Sequence, residues 1–555
     1  MYKYDKYQIV DVEQSMEEIC YPKDKSYKLL PQQAFLSDYL YENQDINGLL
    51  IYHEIGSGKT CTAISIAEKF KKDMNIIVIL PASLIGNFMN ELRGLCPENT
   101  SGTGVYVTKE ERIKLSKLDS KSKELIETID KRINKHYKIY SYHFFLKEFY
   151  RGLINFNNNL VIIDEVQNMV SLKGDFYQTL LESVNKAQKN FKLFLLSATP
   201  MFDNPSTIGL TFNLLRPKTE FPVGEDFENV FFEKSGGYFI SKNVELFKDM
   251  SKGLVSYYRG DLPISYPTMN LKTVGCHMSE HQFTVYKTAL KKEKKDKKFK
   301  ASMSFPTNFY IGPRMISNIA YPNGLSGEEG FESLNIAFDN MTEYSPKFVK
   351  IIKKINESEG PVFVYSSFLS YGGIKPFCAY LDHLGYQNFD KKNTGLKRYA
   401  IYSGDESLEK REKIKNIFNK KENENGSLIK IIVGSPSTKE GISLLRVRQV
   451  HIMEPHWNFS RIKQIIGRAV RFCSHKDLDI DKRVVDVFIY LALVDNSNSK
   501  SSMDEYVWSL AKKKHKLIST FEHAMKEVAI DCPLFIKRNN LSSDKNLIKC
   551  NLEFL

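Results

Sequence analysis

The segment GLLIYHEIGSGKTCTAISIAEKF, residues 48–70, reads as a strand, a glycine-containing loop and a helix. Gly56 and Gly58, on either side of Ser57, let backbone N–H groups come close to phosphate oxygens, and the helix N-terminus adds favourable partial charge. Lys59 can reach the β- and γ-phosphates of a nucleotide, and Thr60 can ligate Mg²⁺. His53 stands where the pattern G-x-x-x-x-G-K-T has its first glycine. A lone GSGKT also occurs in loops that bind nothing. Here a second motif follows, NLVIIDEVQN, 159–168, an apolar run whose two adjacent carboxylates begin at Asp164, 105 residues after Lys59. At the C-terminal edge of a strand both acids can face one crevice. Asp164 would hold Mg²⁺ directly or through water, and Glu165 would orient and deprotonate the attacking water.

Two further motifs suit the same chemistry. LLSATP, 195–200, closes another strand, and the hydroxyls of Ser197 and Thr199 could sense the γ-phosphate through Glu165. QIIGRAVR, 464–471, places Arg468 and Arg471 three apart, on one side of an expected helix. Planar guanidinium groups match the charge that develops on a transferred γ-phosphoryl group. An isolated pair of arginines would read as surface salt bridges, but Gln464 and Gly467 at fixed offsets favour the chemical reading. These arginines belong to a later part of the chain than the phosphate loop, so ATP is expected to lie between two domains.

The elements that must position these residues are visible as short apolar runs alternating with helix-period stretches, the pattern of α/β domains with parallel sheets. Expected strands are Leu49–Tyr52, Ile76–Leu80, Leu160–Ile163 and Leu193–Leu196, then Val362–Tyr365, Ile429–Val433, Val450–Met453 and Val485–Tyr490. Ala63, Ile66, Ala67 and Phe70 give the helix after GSGKT an apolar face. The expected division is an arm at 1–27, an ATP-binding domain at 28–217, an insert or linker at 218–343, a second domain at 344–496 and a helical tail at 497–555. No alternation survives in the insert. Its segment 287–300 carries eight Lys against one Glu and one Asp, either as a solvated basic face or as a nucleic-acid contact. In the tail, Val507, Leu510, Leu517, Phe521, Met525 and Val528 fall mostly three, four or seven apart, as one buried stripe would.

Bulk properties agree. A chain of 555 residues is too long for one core and suits two to four domains. A hydrophobic share of 42% with 26% charged residues excludes a disordered chain, and the net charge of +13 favours polyanionic partners. Eight cysteines without a C-x-x-C pair argue against a disulfide framework and a zinc site. The start, MYKYDKYQIVDVEQS, lacks the apolar core of a signal peptide, and no apolar run suits a membrane span. A soluble protein of a reducing compartment, with no membrane partner, is expected.

GSGKT, DEVQ, SAT, STKEGISL and QIIGRAVR occur in the order found in superfamily 2 helicases, over roughly residues 30–495, and the chain resembles that family. The resemblance implies two tandem RecA-like P-loop domains and the cofactors ATP and Mg²⁺. LLPQQ, 29–33, resembles the adenine-contact motif, with Gln33 in the glutamine position and Gln32 where a tyrosine is usual. Gly441 is implied as a further ATP contact, and Gln464 as a coupling residue. Nucleic-acid contacts are implied at Pro81, Ser83, Asn87, Tyr142, Ser435 and Thr438. RMISNIAYP, SPKF, VFVYSSF and VRQVHIMEPHWNFSRIKQIIGRAVRFCSH are similar to helicases of nucleocytoplasmic large DNA viruses, in the group of poxvirus nucleoside triphosphatase I and the early transcription factor small subunit. Related proteins of yeast cytoplasmic linear plasmids share the resemblance.

The expected function is an ATP-dependent translocase or helicase, a DNA-stimulated ATPase supporting transcription in the host cytoplasm or the virion. DNA is favoured over RNA, with RNA polymerase or other transcription factors as further partners. The alternatives are an RNA helicase, or a helicase-fold transcription scaffold with little hydrolysis. A metabolic P-loop kinase explains neither QIIGRAVR nor the second set of strands.

Overall fold

The computed structural model describes residues 2–9, 15–21, 28–97, 106–116, 122–235, 238–260, 262–296, 309–390, 397–436, 442–494, 501–541, 544 and 546–551. The chain forms two compact units, Met1–Leu262 with Lys516–Leu555, and Pro263–His515.

The first unit contains β1 (Gly48–His53), β2 (Asn75–Leu80), β3 (Tyr137–Ser141), β4 (Asn159–Ile163), β5 (Lys192–Ser197), the hairpin β6 (Phe232–Ser235) and β7 (Tyr238–Ser241), and β8 (Val255–Tyr258). Six of these make a sheet in the order β3-β2-β4-β5-β1-β8, parallel throughout. Leu49–Ile51, Ile76–Leu80, Leu160–Ile163 and Leu193–Leu196 are buried, which is why they read as continuous apolar runs rather than alternating ones. Tyr52 pairs with Ser197, Leu80 with Ser141, and Ile79 with Ile163, so these strands end level. The segments beginning GSGKT, PASL, YHF, DEV and ATP therefore leave one edge of the sheet. That is the carboxyl edge, where open parallel sheets bind their ligands.

The second unit contains β9 (Thr268–His277), β10 (Val362–Tyr365), β11 (Gln387–Asn388), β12 (Arg398–Tyr402), β13 (Ile431–Gly434), β14 (Gln449–Ile452) and β15 (Val484–Leu493). Their order is β11-β12-β13-β10-β14-β15-β9, again all parallel.

All eight expected strands are present, with ends moved by up to three residues. The stretch 218–343 is divided: β8 completes the first sheet and β9 the second. β9 is an edge strand whose Met269 and Leu271 are exposed, so it lacks the apolar run that reveals a central strand. The basic segment lies in the helix Glu280–Asp296 up to Asp296, and 297–300 fall outside the described residues.

The tail stripe is a helix, Met503–Glu527, but two cores share it. Val507 packs with Tyr286, Trp457 and Phe309 in the second unit. Phe521 packs with Phe227, Phe231 and Phe247 in the first. The cysteine expectation is corrected: Cys61 is joined to Cys96, and Cys532 to Cys550. Neither pair has a short motif spacing, because tertiary packing rather than sequence proximity brings the partners together. Among the described residues no helix is long and apolar enough to cross a membrane.

Candidate functional site

The phosphate loop is built by conformations open to glycine. Gly56 and Gly58 have φ of 85° and 78°, and a Cβ on Gly58 would lie 2.6 Å from Gln33 Nε2. Gly58 is the N-cap of the helix Lys59–Phe70 and provides no side-chain cap. The N–H groups of the first turn are thus directed at the loop, an anion-binding arrangement. Ala63, Ile66, Ala67 and Phe70 are buried as the spacing implies, and so are Ile64 and Glu68. Lys59 Nζ donates to the carbonyls of His53 (2.9 Å) and Glu54 (3.2 Å). The Ser57 hydroxyl is buried and has no hydrogen-bond partner among the described residues. An orphaned hydroxyl, an uncapped helix start and a lysine resting on carbonyls fit a triphosphate.

Both glutamines of LLPQQ hold this loop. Gln33 Nε2 donates to the Gly58 carbonyl (3.2 Å), while its Oε1 accepts from Leu30 N (2.9 Å). Gln32 Nε2 donates to the Ser57 carbonyl (3.1 Å). Gln32 was the departure from the tyrosine pattern; here it is a second brace for the loop.

Asp164 and Glu165 follow β4 directly. Asp164 Oδ1 accepts from Glu165 N (2.9 Å), and Glu165 has φ of 52°, a left-handed conformation uncommon outside glycine. That turn aims the second carboxylate away from the strand. Gln167 Nε2 donates to Glu165 Oε2 (2.5 Å), and Ser197 Oγ donates to Gln167 Oε1 (2.6 Å). Thr199 N in turn donates to Ser197 Oγ (3.0 Å). Gln167, the last letter of DEVQ, thus links the Ser197 hydroxyl to Glu165, while the buried Thr199 hydroxyl has no hydrogen-bond partner among the described residues. Replacing Gln167 by Ala should leave the Ser197 hydroxyl and Glu165 unlinked. Basal turnover is expected to fall, because Gln167 holds Glu165, and nucleic-acid stimulation to fall about tenfold further, on the scale of one buried hydrogen-bonded link. Steady-state assays with and without nucleic acid test this; unchanged stimulation refutes the relay.

The two other loops on this edge are arranged differently. Pro81 is buried, Ser83 is exposed on the segment leading into the helix Ile85–Arg93, and Asn87 is exposed in that helix's first turn. Tyr142 is half-buried, and its hydroxyl donates to the carbonyls of Asp164 (2.6 Å) and Glu165 (3.0 Å). An element expected at the nucleic-acid face thus touches the acidic pair.

In the second unit, β14 runs through Glu454 and Trp457 into the helix Phe459–Ile466, capped by the Asn458 side chain accepting from Ser460 N (2.9 Å). Gln464 lies half-buried on this helix. The expectation that both arginines share its face is corrected: the helix ends at Ile466, Gly467 caps it, and Arg468 and Arg471 follow in turns. The reason is the tightened hydrogen bonding after Lys463, with Arg468 N on Ile465 O and Ala469 N on Ile466 O. Both guanidinium groups still converge, reaching the Ile442 carbonyl at 3.5 Å and 3.2 Å, and Arg471 also bonds Ser443 Oγ. Burial pushes the Arg471 pKa below the usual arginine value. Ser435 is buried at the end of β13, its N–H on the Tyr402 carbonyl (3.3 Å). Thr438 and Gly441 lie outside the described residues.

No group of three or more His, Cys, Asp or Glu side chains able to hold a metal occurs among the described residues. Thr60 and Asp164 offer one hydroxyl and one carboxylate, donor types that fit a phosphate-bound Mg²⁺ whose shell is completed by water and phosphate.

The SNF2-related domain matches residues 32–319, and the helicase conserved C-terminal domain matches residues 347–473. The chain is 45% identical, over 99% of its length and 96% of the relative's, to a protein of Acanthamoeba polyphaga mimivirus whose name includes the words ATP-dependent RNA helicase. A second mimivirus protein named in the same words is 28% identical over 93% of this chain and 75% of its own. An African swine fever virus protein, called a homolog of termination factor NPH-I, is 25% identical over 92% of this chain and 80% of its own.

Proposed function

The chain belongs to the SNF2-related superfamily 2 helicases of large DNA viruses, ATP-hydrolysing enzymes, and from that premise we propose a DNA-stimulated translocase that supports viral transcription in the cytoplasm. The observation that carries this reading is the three-centre hydrogen bond from the Tyr142 hydroxyl to the carbonyls of Asp164 and Glu165. Through it, a loop at the carboxyl edge that nucleic acid grips would be felt at the residues acting on ATP. The name of the African swine fever virus relative supports a transcription role, and the names of the mimivirus relatives favour a second reading, an RNA helicase.

In the proposed mechanism Gly56, Ser57 and Gly58 cradle the phosphates, and Lys59 leaves the carbonyls of His53 and Glu54 to contact them. Thr60 and Asp164 would hold Mg²⁺, which supplies charge neutralisation at the phosphate oxygens. Glu165, held by Gln167, accepts the proton of the attacking water. Arg468 and Arg471 stabilise the charge that builds on the transferred phosphoryl group. Gln33, with Gln32, keeps the loop in place and leaves it able to register the base. Ser83, Asn87 and Tyr142 from the first unit, with Ser435 and Thr438 from the second, grip the phosphate backbone with little base readout.

Glu165→Gln is expected to keep ATP affinity and slow turnover by ~10²-fold or more, the usual scale for losing a positioned base. A nucleotide-binding titration beside the turnover assay checks it, and loss of binding would instead make Glu165 a metal ligand or structural group. The functional reading is tested by ATPase turnover without nucleic acid and with single-stranded DNA, duplex DNA and RNA in parallel. Stronger stimulation by DNA supports the translocase; stimulation by RNA alone selects the second reading, and none at all leaves the scaffold.

A further inference from the structure

His53 replaces the first glycine of the phosphate-loop pattern, and the structure shows what its side chain does. Its ring Nε2 lies 3.0 Å from Ser256 Oγ on β8, and that hydroxyl donates to Asp531 Oδ2 (2.5 Å) in the C-terminal segment. The second oxygen, Asp531 Oδ1, accepts from Tyr257 N (2.8 Å). All three side chains are fully buried. Because the serine proton goes to the carboxylate, its oxygen accepts, and His53 donates from Nε2. Burial keeps the imidazole neutral by pushing its pKa to about 3, and raises that of Asp531 to about 7.

The same segment reaches the next loop residue by another route. Lys526 Nζ lies 3.4 Å from Glu54 Oε1, and the Tyr257 hydroxyl donates to that oxygen (2.7 Å). Ile530 N donates to the Val255 carbonyl (2.9 Å), and Asn539 pairs with the backbone of Tyr257 and Arg259, so the segment also covers the open edge of β8. Phe535 packs on Phe35 and Tyr258 within the core under the phosphate-loop helix. The carbonyls of His53 and Glu54 are the two on which Lys59 rests.

We infer that Asp531 and Ser256 are positioning residues for ATP hydrolysis, acting through the His53 side chain to fix the start of the phosphate loop. The C-terminal segment is thereby a working part of the nucleotide site. The inference rests on the reading of residues 53–60 as that loop. A positioning role for the loop before phosphate contact alters binding of ground and transition states alike, so it appears in KM rather than kcat.

The test is a double-mutant cycle on the full chain: wild type, Asp531→Ala, His53→Gly and the double variant, each assayed for ATP kcat and KM. Asp531→Ala is expected to raise KM about tenfold, the scale of one broken buried hydrogen-bond link, with kcat changed less than about twofold. In the His53→Gly background the side chain that transmits the effect is gone, and Asp531→Ala should change KM by less than about twofold. Equal effects in the two backgrounds overturn the inference, as does a fall in kcat with KM unmoved. Since Asp531→Ala can unfold the segment, Ser256 gives an independent pair. Ser256→Ala should raise KM as Asp531→Ala does, and Ser256→Thr, which keeps the hydroxyl, should restore it. A threonine variant as impaired as the alanine variant also overturns the inference. Lys59→Ala separates the two levels: if it turns over ATP normally, the loop reading itself has failed; if it is inactive and the cycle is additive, only the positioning role falls.

Discussion

ATP turnover is expected to fall to background in Lys59→Ala while the protein stays folded. This is the expected result because the lysine contributes charge to phosphate rather than apolar packing. Its Nζ rests on the carbonyls of His53 and Glu54, and the His53 ring is held by Ser256 of β8 and through it by Asp531. Loss of the ammonium group removes about 1 kcal/mol of hydrogen bonding from the ground state, well within the stability of a domain. In the transition state the same group faces the oxygens where negative charge gathers, and no other described side chain on this loop carries positive charge there. Turnover and a thermal melt on the same purified variant check both halves. Near-normal turnover removes the phosphate-loop assignment.

The second large effect is expected at Arg471. Replacement by alanine should lower kcat by ~10³-fold, the scale of an arginine that stabilises phosphoryl transfer, and by more than it weakens ATP binding. Stimulation by nucleic acid should disappear with it, while binding to nucleic acid without ATP stays near wild type. The guanidinium also bonds Ile442 O and Ser443 Oγ, so alanine removes a local support. Arg471→Lys keeps a cation and loses the planar fork; it should fold normally and still lose most of the rate. Steady-state ATPase with and without nucleic acid, together with a direct binding assay, decides. Wild-type stimulation in Arg471→Ala refutes the proposed role of this arginine.

Sequence alone determined the chemistry-bearing elements. A glycine-flanked loop between an apolar strand and an amphipathic helix, and two acids at a strand end, are local patterns whose geometry follows from backbone conformation. Strands buried on both faces are continuous apolar runs, so β1, β2, β4, β5, β10 and β15 were legible as such. The edge strands β8 and β9 were not: β8 is four residues rich in tyrosine, and β9 is largely exposed. Their membership depends on which neighbour offers hydrogen bonds, a fact no local period encodes. The arginine turns were likewise misread as helix, because helical spacing persists for a few residues after the hydrogen bonding has tightened.

Only the tertiary structure decided what supports the site. Gln167 was in plain view within DEVQ, yet its place between Glu165 and Ser197 requires β4 and β5 to be neighbours. Asp531 carried no signal at all. It is 478 residues from His53, and it matters only because the chain returns to the first unit after Lys516 and lays its carboxylate under the edge strand. A local motif can state which groups meet a phosphate; the groups that hold them there are chosen by packing, and packing ignores distance along the chain.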